Sequence, residues 1–148
     1  MIGFLVGSIV LATLIFSIIQ FAFLWAGQGA VETAAHFAAR KFALNARLDI
    51  RKAKSVALSE ASFLCRQRPG GKWESAALTS LDFAREGEDS SATRAVTGEA
   101  YRVRLTHWVE LVVPWVDRVL FTVAPVRKAK LGDKYYLLLH ATRWVTVE

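Results

Sequence analysis

The sequence predicts an α+β protein: a long N-terminal helix, apolar in its first half, with a small antiparallel β-sheet head packed on its second half. Three observations carry this. No ionisable side chain occurs over residues 2–31. No Pro precedes Pro69, and no Gly lies between Gly29 and Gly70, so a helix begun early meets no breaker for a long distance. A period-two pattern runs from Tyr101 to Val113, the mark of a half-buried strand. The 148 residues, 53% of them hydrophobic, suit one modest domain and are too rich in large apolar side chains for a disordered chain. The single Cys excludes an intramolecular disulfide, and no Cys/His cluster has zinc-ligand spacing.

The first element, residues 1–31, exceeds the ~20 apolar residues that cross about 30 Å of hydrocarbon. It reads as a transmembrane or filament-core helix. A cleavable secretory signal has a basic start and an apolar stretch of roughly 7–15 residues. Here no Lys or Arg stands ahead of the run, and the run is longer.

The second element, residues 32–66, reads as an amphipathic continuation of the same helix. Steps of three and four from Ala35 reach Ala39, Phe42, Ala46, Ile50, Ala53, Ala57, Ala61 and Leu64, all apolar, as one buried helical stripe requires. A single helix of this extent is on the order of 90 Å long, so a rod with a small head is expected, its exposed half covered by something outside the chain. Gly3 and Gly7 form a small-xxx-small pair, and Ala26, Ala30, Ala34 and Ala38, followed by Phe42, continue at spacing four. Such a ridge lets neighbouring helices approach closely; Ala is equally a good helix former with no further role. Gly27 and Gly29 mark a local bend or softened turn where the two halves meet.

Charge is local too. Arg40, Lys41, Arg47, Arg51, Lys52 and Lys54, with Asp49 as the one acid among them, carry +5 of the chain's net +6. Such a basic collar beside an apolar segment contacts anionic head groups or the acidic side chains of neighbours, in preference to nucleic acid. For a single-pass protein the positive-inside rule places this collar, and the head behind it, in the cytoplasm. A head outside the cell requires a basic leader before residue 1 that has been removed.

The head is residues 67–148. Arg68, Pro69, Gly70 and Gly71 end the helix, residues 76–84 read as a short strand, and residues 86–98 as a polar surface loop. The alternating strand stops at Pro114. Residues 115–123 form a helical turn or short helix, residues 127–134 a basic turn, and residues 135–147 a last strand rich in aromatic and β-branched side chains. Two or three strands do not stand alone, so they lay a face on the second half of the long helix. Trp108, Trp115 and Trp144 are expected in the head core or on a strand face, with a binding surface as the alternative, and Trp25 as an interfacial anchor. Cys65 continues the apolar stripe as a small buried residue, with an intermolecular disulfide as the sharper alternative. His36, His107 and His140 stand in no recognisable catalytic arrangement, and metal-ligand spacings and Gly-rich phosphate loops are absent. The expectation is therefore no enzyme, no cofactor and no metal.

The residues 18–43, IIQFAFLWAGQGAVETAAHFAARKFA, resemble the TadE-like pseudopilins of the tight-adherence and type IV pilus group. Gln20, Phe21, Trp25, Gln28 and Ala39-Arg40 occupy the family's motif positions; the alternating strand, Pro114, a short apolar helix and a closing strand continue the resemblance. Gln20 stands where the family usually has Glu, and Leu5 where type IV pilins usually carry a glutamate. The resemblance implies a structural subunit that waits in the inner membrane, and then polymerises through its apolar helix with itself or other pilin-like subunits into an extracellular adhesive filament. Met1 is then either an initiator or the first residue left by prepilin peptidase. The alternative is a bitopic membrane scaffold of a secretion or envelope complex that never polymerises, and a DNA-uptake pilin is a third reading.

Overall fold

The computed structural model describes residues 2–66, 72–87, 94–113 and 115–147. The breaker at residues 68–71, the middle of the polar loop at 88–93, and Pro114 lie outside the described residues. The elements are α1 (Ile2–Ala46), α2 (Ile50–Leu64), α3 (Lys72–Ala77), β1 (Thr79–Arg85), β2 (Ala100–Leu111), α4 (Val116–Val123), β3 (Lys128–Leu131) and β4 (Lys134–Thr146). A long N-terminal helix is thus joined to one four-stranded antiparallel sheet, in the order β1-β2-β4-β3.

Four expectations are corrected. The long helix is not continuous to Leu64. It ends at Ala46, where Leu48 N–H and Asp49 N–H both return to the Asn45 carbonyl. Asp49 then opens α2 as its N-cap: its backbone is extended and its carboxylate accepts from the Arg51 and Lys52 amides at 2.8 and 3.3 Å. The segment expected as a strand over 76–84 closes α3 first and becomes β1 only at Thr79. The basic turn over 127–134 contains a real strand, β3, and only Gly132 and Asp133 turn the chain between Leu131 and Lys134. Gly132 takes φ +61, as a two-residue hairpin loop requires. The sheet accordingly has four strands, and Lys128 and Lys130 lie on its outer strand, where charge blunts an open edge.

The chain divides into two compact units. Gly27–Trp108 with Leu139–Glu148 holds the larger core. There the expected stripe is buried at Ala35, Ala39, Phe42, Ala46, Ala53, Ala57 and Ala61, with Ile50 and Leu64 at its margin. It packs against Phe83, Tyr101, Val103 and Leu105 of the sheet. The Phe42 ring stacks on Phe83 at 4.5 Å and meets Tyr101 edge-on at 5.8 Å. The small alanines let the backbone of the helices sit close to the strands, and Phe42 fills the space left between them.

The other unit is Met1–Ala26 with Val109–Leu138. Val109, Leu111, Val113, Val116, Tyr136 and Leu137 are its buried apolar residues. Phe121 of α4 lies 4.8 Å from the Tyr135 ring. Lys128 closes α4 by donating from Nζ to the carbonyls of Phe121, Thr122 and Ala124 at 2.5, 3.2 and 3.4 Å; a cation at this end also offsets the helix dipole.

Candidate functional site

Residues 3–16 of α1 expose apolar side chains on every face, Phe4, Leu5, Ile9, Val10, Leu14 and Phe16 among them. Ser8, Thr13 and Ser17 do not interrupt this surface, because each hydroxyl donates to a carbonyl of the preceding turn at 2.8–2.9 Å. Among the described residues, α1 is the helix long and apolar enough to cross a membrane.

The apolar exposure changes at Gln20. This side chain is fully buried, and its Oε1 accepts the Val112 and Val113 amides at 3.1 and 2.9 Å, just past the end of β2. Two converging N–H donors fix the oxygen toward the strand and the nitrogen away from it. Gln20 Nε2 is left buried without a hydrogen-bond partner. Residues 2–19, free of this clamp, span roughly 27 Å as a helix, close to the ~30 Å of a hydrocarbon layer. From residue 20 onward one side of the helix is covered by the protein itself, at Gln20, Gly27, Val31, Ala34 and Ala35.

The other motif positions separate. Gln28 repeats the clamp in the larger unit, with Nε2 donating to the His140 carbonyl of β4 at 3.4 Å and to Glu32 at 3.0 Å. Glu32 in turn lies 3.9 Å from Arg143. Phe21 is exposed and Trp25 is 84% exposed; Pro114 lies outside the described residues.

The small-residue ladder is divided. Ala34, Ala38 and Phe42 are fully buried in the chain's own core, Ala30 is half-buried, and Ala26 is exposed. At Gly3 and Gly7 no atom lies within 4 Å of the position a Cβ would take. Of the ladder positions, Gly3, Gly7, Ala26 and part of Ala30 are left open to another molecule.

Five residues of the basic collar, Arg40, Lys41, Arg47, Arg51 and Lys52, are exposed, and none of the five forms an ion pair among the described residues. They surround the α1–α2 corner as a solvated cationic face. Lys54 differs: it is half-buried, its ammonium lies 5.7 Å from the Phe83 ring centre, and burial lowers its pKa against the opposing pull of Asp82.

The remaining titratable side chains have structural surroundings. Cys65 is buried in the core, and burial pushes its thiol up to about 11, which removes the thiolate that disulfide exchange needs. His107 is buried on β2, 2.8 Å from the Thr79 hydroxyl. That hydroxyl donates to the Ser75 carbonyl at 2.7 Å, so it accepts from His107 Nδ1–H, and burial holds the imidazole neutral with a pKa of about 4. An open cleft of about 470 Å³ is lined by Ser59, Ser62 and Ser75 with Glu60, Phe63 and Arg66; among the described residues lining it there is no histidine or cysteine to activate one of those hydroxyls.

Trp144 lies on a strand face, and Trp115 is neither in the core nor on a strand. Trp108 is half-buried on β2, whereas Trp144 is 58% exposed at an outward position of β4 and Trp115 is held in solvent ahead of α4. The exposed apolar face that Trp115 begins was not legible in the sequence, because the short segment 115–123 is apolar on more than one side. No protein-family model, no curated protein and no solved structure matches the chain.

Proposed function

We propose that the chain is a membrane-anchored, pilin-like structural subunit. In this reading it waits in the inner membrane with residues 2–19 of α1 in lipid and then polymerises through that helix, with copies of itself or related subunits, into an extracellular adhesive filament of the tight-adherence or type IV kind. The observation that carries it is the division of α1, which is uniformly apolar and exposed over its first turns while its second half is the core helix of an antiparallel sheet. Leaving lipid for a helical bundle exchanges one apolar medium for another, so close van der Waals packing must hold the polymer, and Gly3 and Gly7 permit it. The resemblance of residues 18–43 to TadE-like pseudopilins supports the same reading. No step of chemistry, cofactor or metal is invoked.

A second reading, the bitopic scaffold, gains from one observation. Ala34, Ala38 and Phe42 are covered by the chain's own sheet, so no partner helix is needed to cover the membrane-distal ladder. Electron microscopy of material sheared from the cell surface, with mass spectrometry of the chain's N-terminus, separates the two. Filaments containing the chain, with a leader removed, are expected for the pilin. A chain confined to the membrane fraction with an unprocessed N-terminus is the result that gives the scaffold.

A further inference from the structure

We propose that α4 lies in the membrane interface, with Trp115, Val119 and Val123 set among the head groups and upper acyl chains of an anionic lipid surface. The inference goes beyond filament assembly and rests only on the reading of residues 2–19 as the membrane span. Val119 and Val123 follow at spacing four on one face of α4, Trp115 stands immediately ahead of the helix, and Trp115, Val119 and Val123 are 80%, 61% and 73% exposed. The sides flanking and opposite this face are already used: Val116, beside Val123 on the helix, is buried, and Phe121, on the far side, meets Tyr135. The bare face is therefore surplus to the fold.

Three observations identify the occupant as lipid. The first is position. Val113, held by Gln20 at the boundary of the bare apolar helix, accepts the Asp117 amide at 3.0 Å, so the first turn of α4 is tied to that boundary. The second is charge. Arg118, Arg127 and Lys130 are exposed and form no ion pair among the described residues, an arrangement complementary to anionic head groups. The third is strain. Trp115 has φ 73 and ψ −47, a conformation a bulky side chain rarely adopts, and it holds the indole outward where an interfacial Trp belongs.

The full chain, reconstituted in phosphatidylcholine vesicles with phosphatidylglycerol brominated high on its acyl chains, tests this by tryptophan quenching. Trp115→Phe is expected to remove part of the quenchable emission, Trp144→Phe to remove none, and Phe16→Trp, in the bare helix, to add quenchable emission. Val119→Asp is expected to release Trp115 from quenching while leaving the Phe16→Trp signal intact. If Phe16→Trp adds quenched emission but Trp115→Phe removes none, α4 is not in the interface and the proposal falls while the membrane span stands. If Phe16→Trp adds none, the span itself is wrong. A blue shift of Trp115 that grows with protein density, without bromine quenching, places a second copy of the chain on this face and also overturns the proposal.

Discussion

Gln20 Oε1 lies 2.9 Å from the Val113 amide, joining the first helix to the end of a strand 93 residues further along the chain. The same oxygen serves Val112, so one side-chain acceptor satisfies two backbone donors just past the end of β2. An unpaired buried donor costs more than a formed hydrogen bond contributes. The clamp therefore fixes where the bare helix stops and the folded part starts.

Replacing this amide tests the clamp. Gln20→Leu removes the unpartnered Nε2, which favours the variant, but strands the Val112 and Val113 amides. The second effect dominates, and the unfolding free energy in detergent micelles is expected to fall by roughly 1–3 kcal/mol. Hydrogen exchange at Val113 is expected to accelerate with it. An unchanged exchange rate would show that the clamp is not what protects this amide.

Phe42→Ala probes the larger core. The ring is fully buried between Phe83 and Tyr101, and the surrounding alanines are too short to close the gap. A loss of about 3–5 kcal/mol is expected from urea unfolding. A loss below about 1 kcal/mol would mean that this packing contributes little to holding the helix on the sheet.

Much of this core is legible in the sequence, and particular residues show why some of the fold is not. The alternation of Tyr101, Val103, Leu105 and His107 with Arg102, Arg104 and Thr106 declares β2, because a strand with one buried face must repeat every two residues. The stripe from Ala35 to Leu64 is equally plain, yet it conceals the break at 47–49. Ala46 and Ile50 are spaced by a helical step, so the pattern keeps its phase across residues that are not helical. Asp49, an N-cap, reads in sequence as a lone acid in a basic run. Lys128 and Lys130 resemble a solvated turn because an edge strand is charged for its own reasons. Gln20 stands out as a polar residue in an apolar run, but its partners lie 92 and 93 residues away, beyond any local pattern.

Acid is expected to destabilise the larger unit through His107. Its folded-state pKa of about 4 lies below its ordinary 6.5, so the unfolded chain takes up a proton first. Stability is unaffected above pH 6.5 and falls as pH drops from about 6.5 to about 4, by up to about 3 kcal/mol. Unfolding curves across that window should show the slope in the native chain and lose it in His107→Asn. A slope that persists in the variant would assign the acid sensitivity to other groups.

The exposed collar makes a prediction for assembly and none for folding. Arg40 and Lys41 form no ion pair among the described residues, so Arg40→Glu with Lys41→Glu is expected to leave the melting temperature of the subunit nearly unchanged. If these cations meet acidic groups of adjacent subunits in the filament, the yield of sheared filaments falls sharply. Abundant filaments from the double variant would remove the collar from the assembly contact.

Gly7 gives the sharpest separation of subunit from polymer. A Cβ there meets nothing within 4 Å, so Gly7→Leu is expected to leave the subunit folded, and its gain in helix propensity and apolar surface favours membrane insertion. Close approach of two helices at the same point is a different matter. A leucine side chain occupies the space through which backbones would come together, and a packing-driven polymer has little else to hold it there. Normal membrane fractionation with no filaments by electron microscopy is the expected result, with Gly3→Leu behaving alike. Filaments of normal number and length from both variants would show that the glycine ridge is not an assembly surface.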